Sequence, residues 1–156
     1  MSDDFLNLIR NGDINKVKKA LESDKKIMNE KDSQGRTPLM EAIIFKKEEI
    51  AKFLIDSGAD INEQDSDGWC ALHFAAQEFS VAVTKLLIEK KAKIDLRDSN
   101  GNTPLFRSLF SSQGRGDIIS LLLSAGANKD LSNQSGVSPY DLAKQVTNFN
   151  LLQYFE

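Results

Sequence analysis

The sequence has one cysteine, one histidine, one tryptophan and three prolines among its 156 residues. The lone Cys70 excludes a framework of intrachain disulfides and is compatible with a reducing compartment. No apolar run reaches the ~18 residues of a membrane span, and the first residues lack the basic and apolar regions of a secretion signal. We therefore expect a cytoplasmic protein that has no membrane partner.

The chain also lacks a strong charge of either sign. Its formal net charge is −3, whereas a nucleic-acid-binding domain usually carries a strongly basic face. With 40% hydrophobic and 28% charged residues, the composition is that of an ordinary folded domain. The charge argues against a nucleic-acid partner, and the length predicts a single domain.

Four related segments recur along the chain. They are DSQGRTPLMEAI from Asp32, DSDGWCALHFAA from Asp65, DSNGNTPLFRSL from Asp98 and NQSGVSPYDLAK from Asn133. Their glycines are 33, 33 and 35 residues apart (68 − 35, 101 − 68 and 136 − 101). Similarity at such a period indicates stacked structural repeats, and the longer last step indicates an insertion, which we assign to residues 111–117.

Each unit reads as two short amphipathic helices. A Thr-Pro pair after the glycine favours a helix start, and Gly58 or Gly126 favours a stop, which Lys90-Lys91 should weaken in the unit between them. We divide the single domain, residues 1–156, into an N-terminal cap (1–31), internal repeats (32–64, 65–97 and 98–132) and a C-terminal cap (133–156). Helices this short are marginal alone, so neighbouring units must stabilise them.

These motifs, at this spacing, resemble those of ankyrin-repeat proteins. The residues that carry the resemblance are Gly35, Thr37, Pro38, Leu39, Gly58, Gly68, Leu72, His73, Gly101, Thr103, Pro104, Leu105 and Gly126. The resemblance implies an all-α solenoid of helix-turn-helix repeats with short β-hairpin-like fingers, in which fingers and inner helices form a concave face. It also implies a non-catalytic protein that binds another protein.

Two departures from the family pattern affect what we expect. The motif's histidine is present only as His73, and its counterparts are Met40, Phe106 and Asp141. The hydrogen-bonded tie that this histidine makes between repeats should therefore be partial. Cys70 and Ala71 replace the Thr-Pro pair, which should weaken the start of that helix.

Cys70 and His73 also form the one pairing that suggests catalysis. Residues three apart share a helix face, and a cysteine near a helix N-terminus can be reactive. Both nevertheless occupy structural positions of the repeat, and no cofactor-binding motif or metal-ligand cluster accompanies them. The recurring aspartates have turn-forming roles, and we treat Arg115-Gly116-Asp117 as coincidence. We predict no catalytic residues, metal or cofactor.

Residues beside the finger glycine and at the end of the first helix should face a partner instead. Several are aromatic or arginine, the types that dominate interface hot spots. The predicted contact set is Arg36, Phe45, Asp67, Trp69, Glu78, Phe79, Arg97, Asn102, Arg107 and Phe110. The alternative for each phenylalanine is that it packs on a neighbouring repeat.

The leading hypothesis is a small binding protein, monomeric when free, that masks, inhibits or tethers its partner. A specific form is a bacterial inhibitor or toxin-immunity protein. The alternatives are a structural subunit that self-associates through Phe149, Tyr154 and Phe155, and an enzyme that uses Cys70.

Overall fold

The structure, a computed structural model, describes residues 1–156. It has nine α-helices and no strands. The helices are α1 (Asp3–Asn11), α2 (Ile14–Ser23), α3 (Pro38–Ile44), α4 (Glu48–Asp56), α5 (Ala71–Gln77), α6 (Val81–Glu89), α7 (Pro104–Ser111), α8 (Asp117–Ser124) and α9 (Pro139–Gln145). Two 3₁₀ helices span Lys25–Asn29 and Leu151–Tyr154.

The helices form two layers. The odd-numbered helices α1 to α9 pack side by side in one layer, and α2, α4, α6 and α8 pack in the other. Apolar residues between the layers form one continuous core, because neither layer can bury its apolar face alone. The predicted all-α solenoid is confirmed.

The starts of the odd-numbered helices follow the motif chemistry. The hydroxyl oxygens of Thr37 and Thr103 accept hydrogen bonds from the N–H groups of Met40 and Phe106. A proline directly follows each threonine, in the first turn of the helix. Cys70 provides no such side-chain cap. At α5 the Nδ1 atom of His73 accepts the Cys70 N–H instead, at 3.2 Å.

The ends of α4, α6 and α8 share one closure. Gly58 and Gly126 adopt φ values of 92° and 90°, in the left-handed region that glycine tolerates. Lys91 takes the same place after α6 with φ 65°, and the Ala92 N–H still reaches the carbonyl of Leu87 at 2.9 Å. The expected weakness of this stop therefore takes the form of backbone strain in a non-glycine residue.

The fingers are tight turns rather than strands. Oδ1 of Asp65 accepts the N–H groups of Asp67 and Trp69, which explains the recurring aspartate. Adjacent fingers meet through one backbone hydrogen bond, such as that from Ser99 N–H to the Asp67 carbonyl at 2.8 Å. Gly68 has φ 77°, and a Cβ there would lie 2.9 Å from the Ser99 nitrogen, so only glycine suits this turn.

The additional residues of the third repeat lie between α7 and α8, where they meet the C-terminal residues. The ring of Tyr154 lies against Gly116, and its hydroxyl donates to the Gly114 carbonyl at 3.0 Å. Phe155 is buried and packs 5.8 Å from the Tyr140 ring. Two of the three aromatic residues considered for self-association are therefore engaged within the chain, and Phe149 is the exposed one.

Candidate functional site

The fingers and the odd-numbered helices enclose two neighbouring depressions. The first, of about 240 Å³, is lined by Arg36, Asp65, Asp67, Trp69, Phe74 and Gln77. The second, of about 410 Å³, includes Asn102, Phe106, Arg107, Phe110, Val137 and Leu142 in its lining. We call these two depressions together the finger groove.

Trp69 lines the first depression and contacts Arg107, which lines the second. Its ring packs 5.0 Å from that of Phe74 in α5, while the guanidinium of Arg107 lies 4.4 Å above it. These contacts leave Trp69 half-buried, so the finger-tip ring folds back on its own helix and on the next repeat. Cation–π stacking of this kind fixes both side chains in the groove.

Arg107 is anchored from below by Asp98. Its Nε and Nη2 atoms both donate to Oδ2 of Asp98, with Nε at 3.0 Å. Burial acts to raise the pKa of Asp98, but the hydrogen bonds from Arg107 and from the Asn102 N–H outweigh it and hold that pKa below its usual value. Asp98 is therefore an ionised carboxylate that holds Arg107 in place, and it is too buried to contact a partner.

A second set of ionic contacts joins the first repeats. Glu41 is fully buried in α3, and its Oε2 accepts from Nε and Nη2 of Arg10 at 3.0 and 2.9 Å. Arg36 lies 3.7 Å from Oε1 of the same carboxylate and 3.8 Å from Asp65. Arg10 in turn stacks on the ring of Phe45, 5.1 Å away. Arginines and aromatic rings thus alternate along one side of the molecule.

The predicted contact set includes Arg107 but omits three residues that form these contacts: Arg10, Glu41 and Phe74. Glu41 and Phe74 occupy the same repeat position as Arg107, because 74 − 41 and 107 − 74 both equal 33. Applying the glycine register to Arg107 would have found them. Arg10 had no such signal, since the first unit lacks the finger glycine.

The predicted phenylalanines have different environments. Phe110 is 64% exposed and touches the ring of Phe106 at 5.6 Å, and Phe45 is 43% exposed. Phe79 is half-buried beneath the guanidinium of Arg115, which lies 3.7 Å from its ring centroid. Packing on a neighbouring repeat, the alternative for each phenylalanine, therefore describes Phe79 best, because Arg115 belongs to the next repeat.

Other members of the predicted contact set have contacts within the chain. Asn102 is buried; its amide donates to Asp98 and its Oδ1 accepts from Asn133 at 2.9 Å. It is therefore a poor candidate for a partner contact. Asp67 is exposed, and Glu78 faces Lys46 at 3.5 Å.

Arg97 belongs to a ladder of donors at the base of the fingers. Lys31 Nζ donates to the Gln64 carbonyl, Gln64 Nε2 to the Arg97 carbonyl, and Arg97 Nη2 to the Ser132 carbonyl. Each step joins one repeat to the next. Arg97 is exposed, but its guanidinium has a structural use that sequence reasoning did not foresee.

Cys70 and His73 are both buried, and their environment opposes catalysis. Burial raises the pKa of the Cys70 thiol and lowers the pKa of His73 to about 4, so the thiolate–imidazolium pair of an activated cysteine nucleophile does not form near neutral pH. The Nε2 atom of His73 lies 3.0 Å from the Asn102 carbonyl in the next repeat. The pair therefore ties α5 to the following finger.

The comparison with known families agrees with this architecture. The family model for ankyrin repeats in three copies matches residues 6–65 and 57–133. The chain belongs to the ankyrin-repeat family. Ankyrin repeats commonly mediate protein–protein interaction and are typically non-catalytic. None of the helices combines the length and apolar character of a membrane span.

Curated relatives of this ankyrin-repeat chain are much longer than the regions that match. It is 49% identical over 49 residues, 31% of the chain, to an acyl-CoA-binding domain-containing protein 6 homolog from Dictyostelium discoideum, of which this covers 17%. It is 36% identical over 61 residues, 39% of the chain, to the palmitoyltransferase akr1 of Emericella nidulans, of which this covers 8%. Each match is no longer than about two 33-residue repeats, so the similarity is one of repeat sequences.

Proposed function

We propose that this ankyrin-repeat chain is a non-catalytic binding protein that holds a segment of another protein in the finger groove and thereby masks, inhibits or tethers it. The exposure of Phe110 beside the second depression carries the proposal. Burying such a ring contributes roughly 1.5–3 kcal/mol, and aromatic residues are frequent at the centres of interfaces. Its aromatic contact within the chain is with Phe106.

The other aromatic groups support contact over several repeats. Phe45, Trp69 and Phe110 belong to three consecutive repeats. A partner segment in the groove would contact Trp69 and Phe110, and one that continues past α3 would also reach Phe45, because the odd-numbered helices stand side by side. A large contact area of this kind is typical of protein partners rather than of small molecules.

Burial of the Cys70 and His73 pair supports the non-catalytic part of the proposal. The proposal also includes a cytoplasmic location and a monomeric free state.

The more specific hypothesis, that the chain is an immunity protein whose partner is a bacterial toxin, stays a prediction. A toxin gene beside the gene for this chain would support it. Masking requires only occupancy of the partner's surface, which a rigid groove provides.

A photo-crosslinking experiment tests the proposal. Benzoylphenylalanine replaces Phe110 in one variant and Lys85, which is exposed on α6, in the control variant. Both are irradiated in extracts of the source organism, and the cross-linked proteins are identified by mass spectrometry. We expect a protein that is captured from position 110, is absent at position 85, and is lost in competition with the unmodified chain. Identical products at both positions would contradict use of the groove.

Self-association is the competing function, and light scattering separates it. Because Tyr154 and Phe155 pack within the chain, we expect a mass of 17.4 kDa at high protein concentration. A dimer that Phe149→Ser dissociates would favour the structural-subunit alternative instead.

A further inference from the structure

Arg36 has an unusual hydrogen-bonding state for a charged side chain in a groove. Its Nε atom is buried and donates to no acceptor, and the nearest carboxylate oxygens lie 3.7 and 3.8 Å from its guanidinium. On the other side of that contact, Oε1 of the fully buried Glu41 also lacks a hydrogen-bond donor. Buried polar atoms without a partner are rare in proteins, but a ligand in the first depression cannot reach the buried Nε. The donors that Arg36 offers there are its Nη1 and Nη2 groups, which form no hydrogen bond within the chain on a side chain that is 26% exposed.

The charges of the groove are distributed unevenly between its surface and its interior. The side chains of Glu41, Asp65 and Asp98 are 1%, 3% and 0% exposed. The arginines that face them remain accessible: Arg10 is 38%, Arg36 26% and Arg107 19% exposed. A partner entering the groove therefore meets guanidinium edges and aromatic rings, while the compensating carboxylates lie beneath.

Arg107 presents its free edge in the second depression. Nε and Nη2 are held by Asp98, and the flat face rests on Trp69, so Nη1 is the group without a hydrogen bond. Arg36 has no such hydrogen bonds, and its guanidinium lies 5.6 Å from the centre of the Phe74 ring. The paired rings of Trp69 and Phe74 thus have an arginine at each side. Arg107 is restrained by its hydrogen bonds, and a restrained guanidinium binds a carboxylate at a smaller entropic cost.

We infer that the segment held in the finger groove is acidic, with carboxylates that bind Arg36 and Arg107 and an apolar side chain that packs beside Phe110. This inference rests on the proposed function and specifies the partner's chemistry. The second depression is suited to the apolar side chain because Phe106, Val137 and Leu142 line it together with Phe110. Asp67 is the accessible carboxylate of the first depression, and its charge opposes such a partner.

The probe for this inference is a short fluorescein-labelled peptide in which glutamates flank a central phenylalanine. Glutamine and lysine versions serve as controls, and fluorescence anisotropy with the full chain gives the affinities at low and physiological salt. Loss of a charge-assisted hydrogen bond of ~1.5–3 kcal/mol corresponds to roughly a ten- to hundredfold weaker affinity. We expect the glutamate peptide to bind tighter than either control by a factor in this range, and less tightly as salt increases.

Variants locate the binding. Arg36→Gln should remove most of the preference for glutamate, Arg36→Lys should retain part of it, and Asp67→Asn should strengthen binding of the glutamate peptide. Lys85→Gln removes the same charge from α6 and should change nothing. Thermal unfolding of each variant shows whether it is folded. If Arg36→Gln does not fold, the comparison of Arg36→Lys with the unaltered chain still tests the inference.

Several results would overturn the inference. They are equal or tighter binding of the glutamine or lysine peptide, no binding of the glutamate peptide at low salt, and equal affinities for Arg36→Gln and the unaltered chain. A dimer in which a second copy of the chain covers Phe110 would also overturn it. A protein that cross-links at position 110 and is insensitive to Arg36→Gln would refute the acidic segment and leave the proposed function intact.

Discussion

The Sγ atom of Cys70 lies 3.1 Å from the Nδ1 atom of His73, and both side chains are buried. Nδ1 also accepts the Cys70 N–H, so the hydrogen on the ring is at Nε2, which donates to the Asn102 carbonyl at 3.0 Å. A geometry that suggests a catalytic dyad is thus a neutral hydrogen-bond chain that connects two repeats. Its stability effects are measurable because each residue type occurs once in the chain.

His73 should make stability depend on pH in a defined window. Its pKa is about 4 in the folded chain against 6.5 for an ordinary histidine, so between these values the unfolded chain binds more protons. The stabilisation is therefore complete above about pH 6.5 and decreases as the pH falls toward 4, by about 3 kcal/mol in total. Urea unfolding at a series of pH values measures it. His73→Gln should be nearly flat between pH 5 and pH 7, and a wild-type curve equally flat would contradict the neutral buried histidine.

Cys70 should be chemically inert in the folded chain. Its sulfur is buried, and burial raises the pKa of the thiol. Because labelling requires unfolding, we expect a thiol reagent to react about a thousandfold or more slowly than with the denatured chain. The ratio of the two rates is the measurement. Rapid labelling of the native protein would revive the enzyme alternative.

Lys91→Gly should stabilise the protein by about 0.5–1 kcal/mol, because glycine relieves a left-handed conformation that costs a lysine roughly 1–2 kcal/mol. Denaturant unfolding provides the measurement. The neighbouring substitution Lys90→Gly is the control, since Lys90 has φ −82° and gains nothing from glycine. We expect that control to be neutral or destabilising, and equal gains for both substitutions would show that strain is not the cause.

Gly116→Ala should destabilise the C-terminal region by about 1–3 kcal/mol, because the added methyl group would overlap the Tyr154 ring. Gly116 has φ −101°, which any residue adopts, so the effect is steric. The test is a double-mutant cycle with Tyr154→Ala. If Gly116→Ala has the same effect with and without the tyrosine ring, the contact is not responsible.

Two residues of the predicted contact set should differ sharply in what they do for stability. Asn102→Ala removes buried hydrogen bonds to Asp98 and Asn133 and should cost about 1–3 kcal/mol. Phe110→Ala truncates an exposed ring and should change stability by no more than about 0.5 kcal/mol. Thermal unfolding of the two variants measures both changes in stability. A large loss for Phe110→Ala would mean that its ring supports the fold rather than the groove.

Much of this architecture follows from the sequence because it depends on local chemistry repeated at a fixed period. The finger glycines, the Thr-Pro pairs and the closures at Gly58 and Gly126 each fix a backbone conformation within a few residues of themselves. Their repetition then implies stacking, since short helices cannot be stable alone. The family and the all-α solenoid could be predicted for this reason.

The candidate site was predicted less completely because side-chain contacts join residues from different repeats. Nothing local to Trp69 indicates that Arg107, far along the chain, covers its ring. Nor does local sequence show that Asn102 is buried and accepts a hydrogen bond from Asn133, or that Arg97 belongs to the ladder of donors. Sequence reasoning could identify positions that face the fingers but not which of them the next repeat covers.

The period, the repeat family and the turn and cap residues can be predicted from the sequence alone, since these depend on backbone preferences and hydrogen bonds within one unit. That Glu41, Asp65 and Asp98 lie beneath their arginines and that Phe110 stays exposed follows only from the packing of the repeats. Burial depends on how the units pack together: Glu41 and Asp65 are contacted by arginines of the preceding unit, and Phe110 stays exposed because no neighbouring side chain covers it.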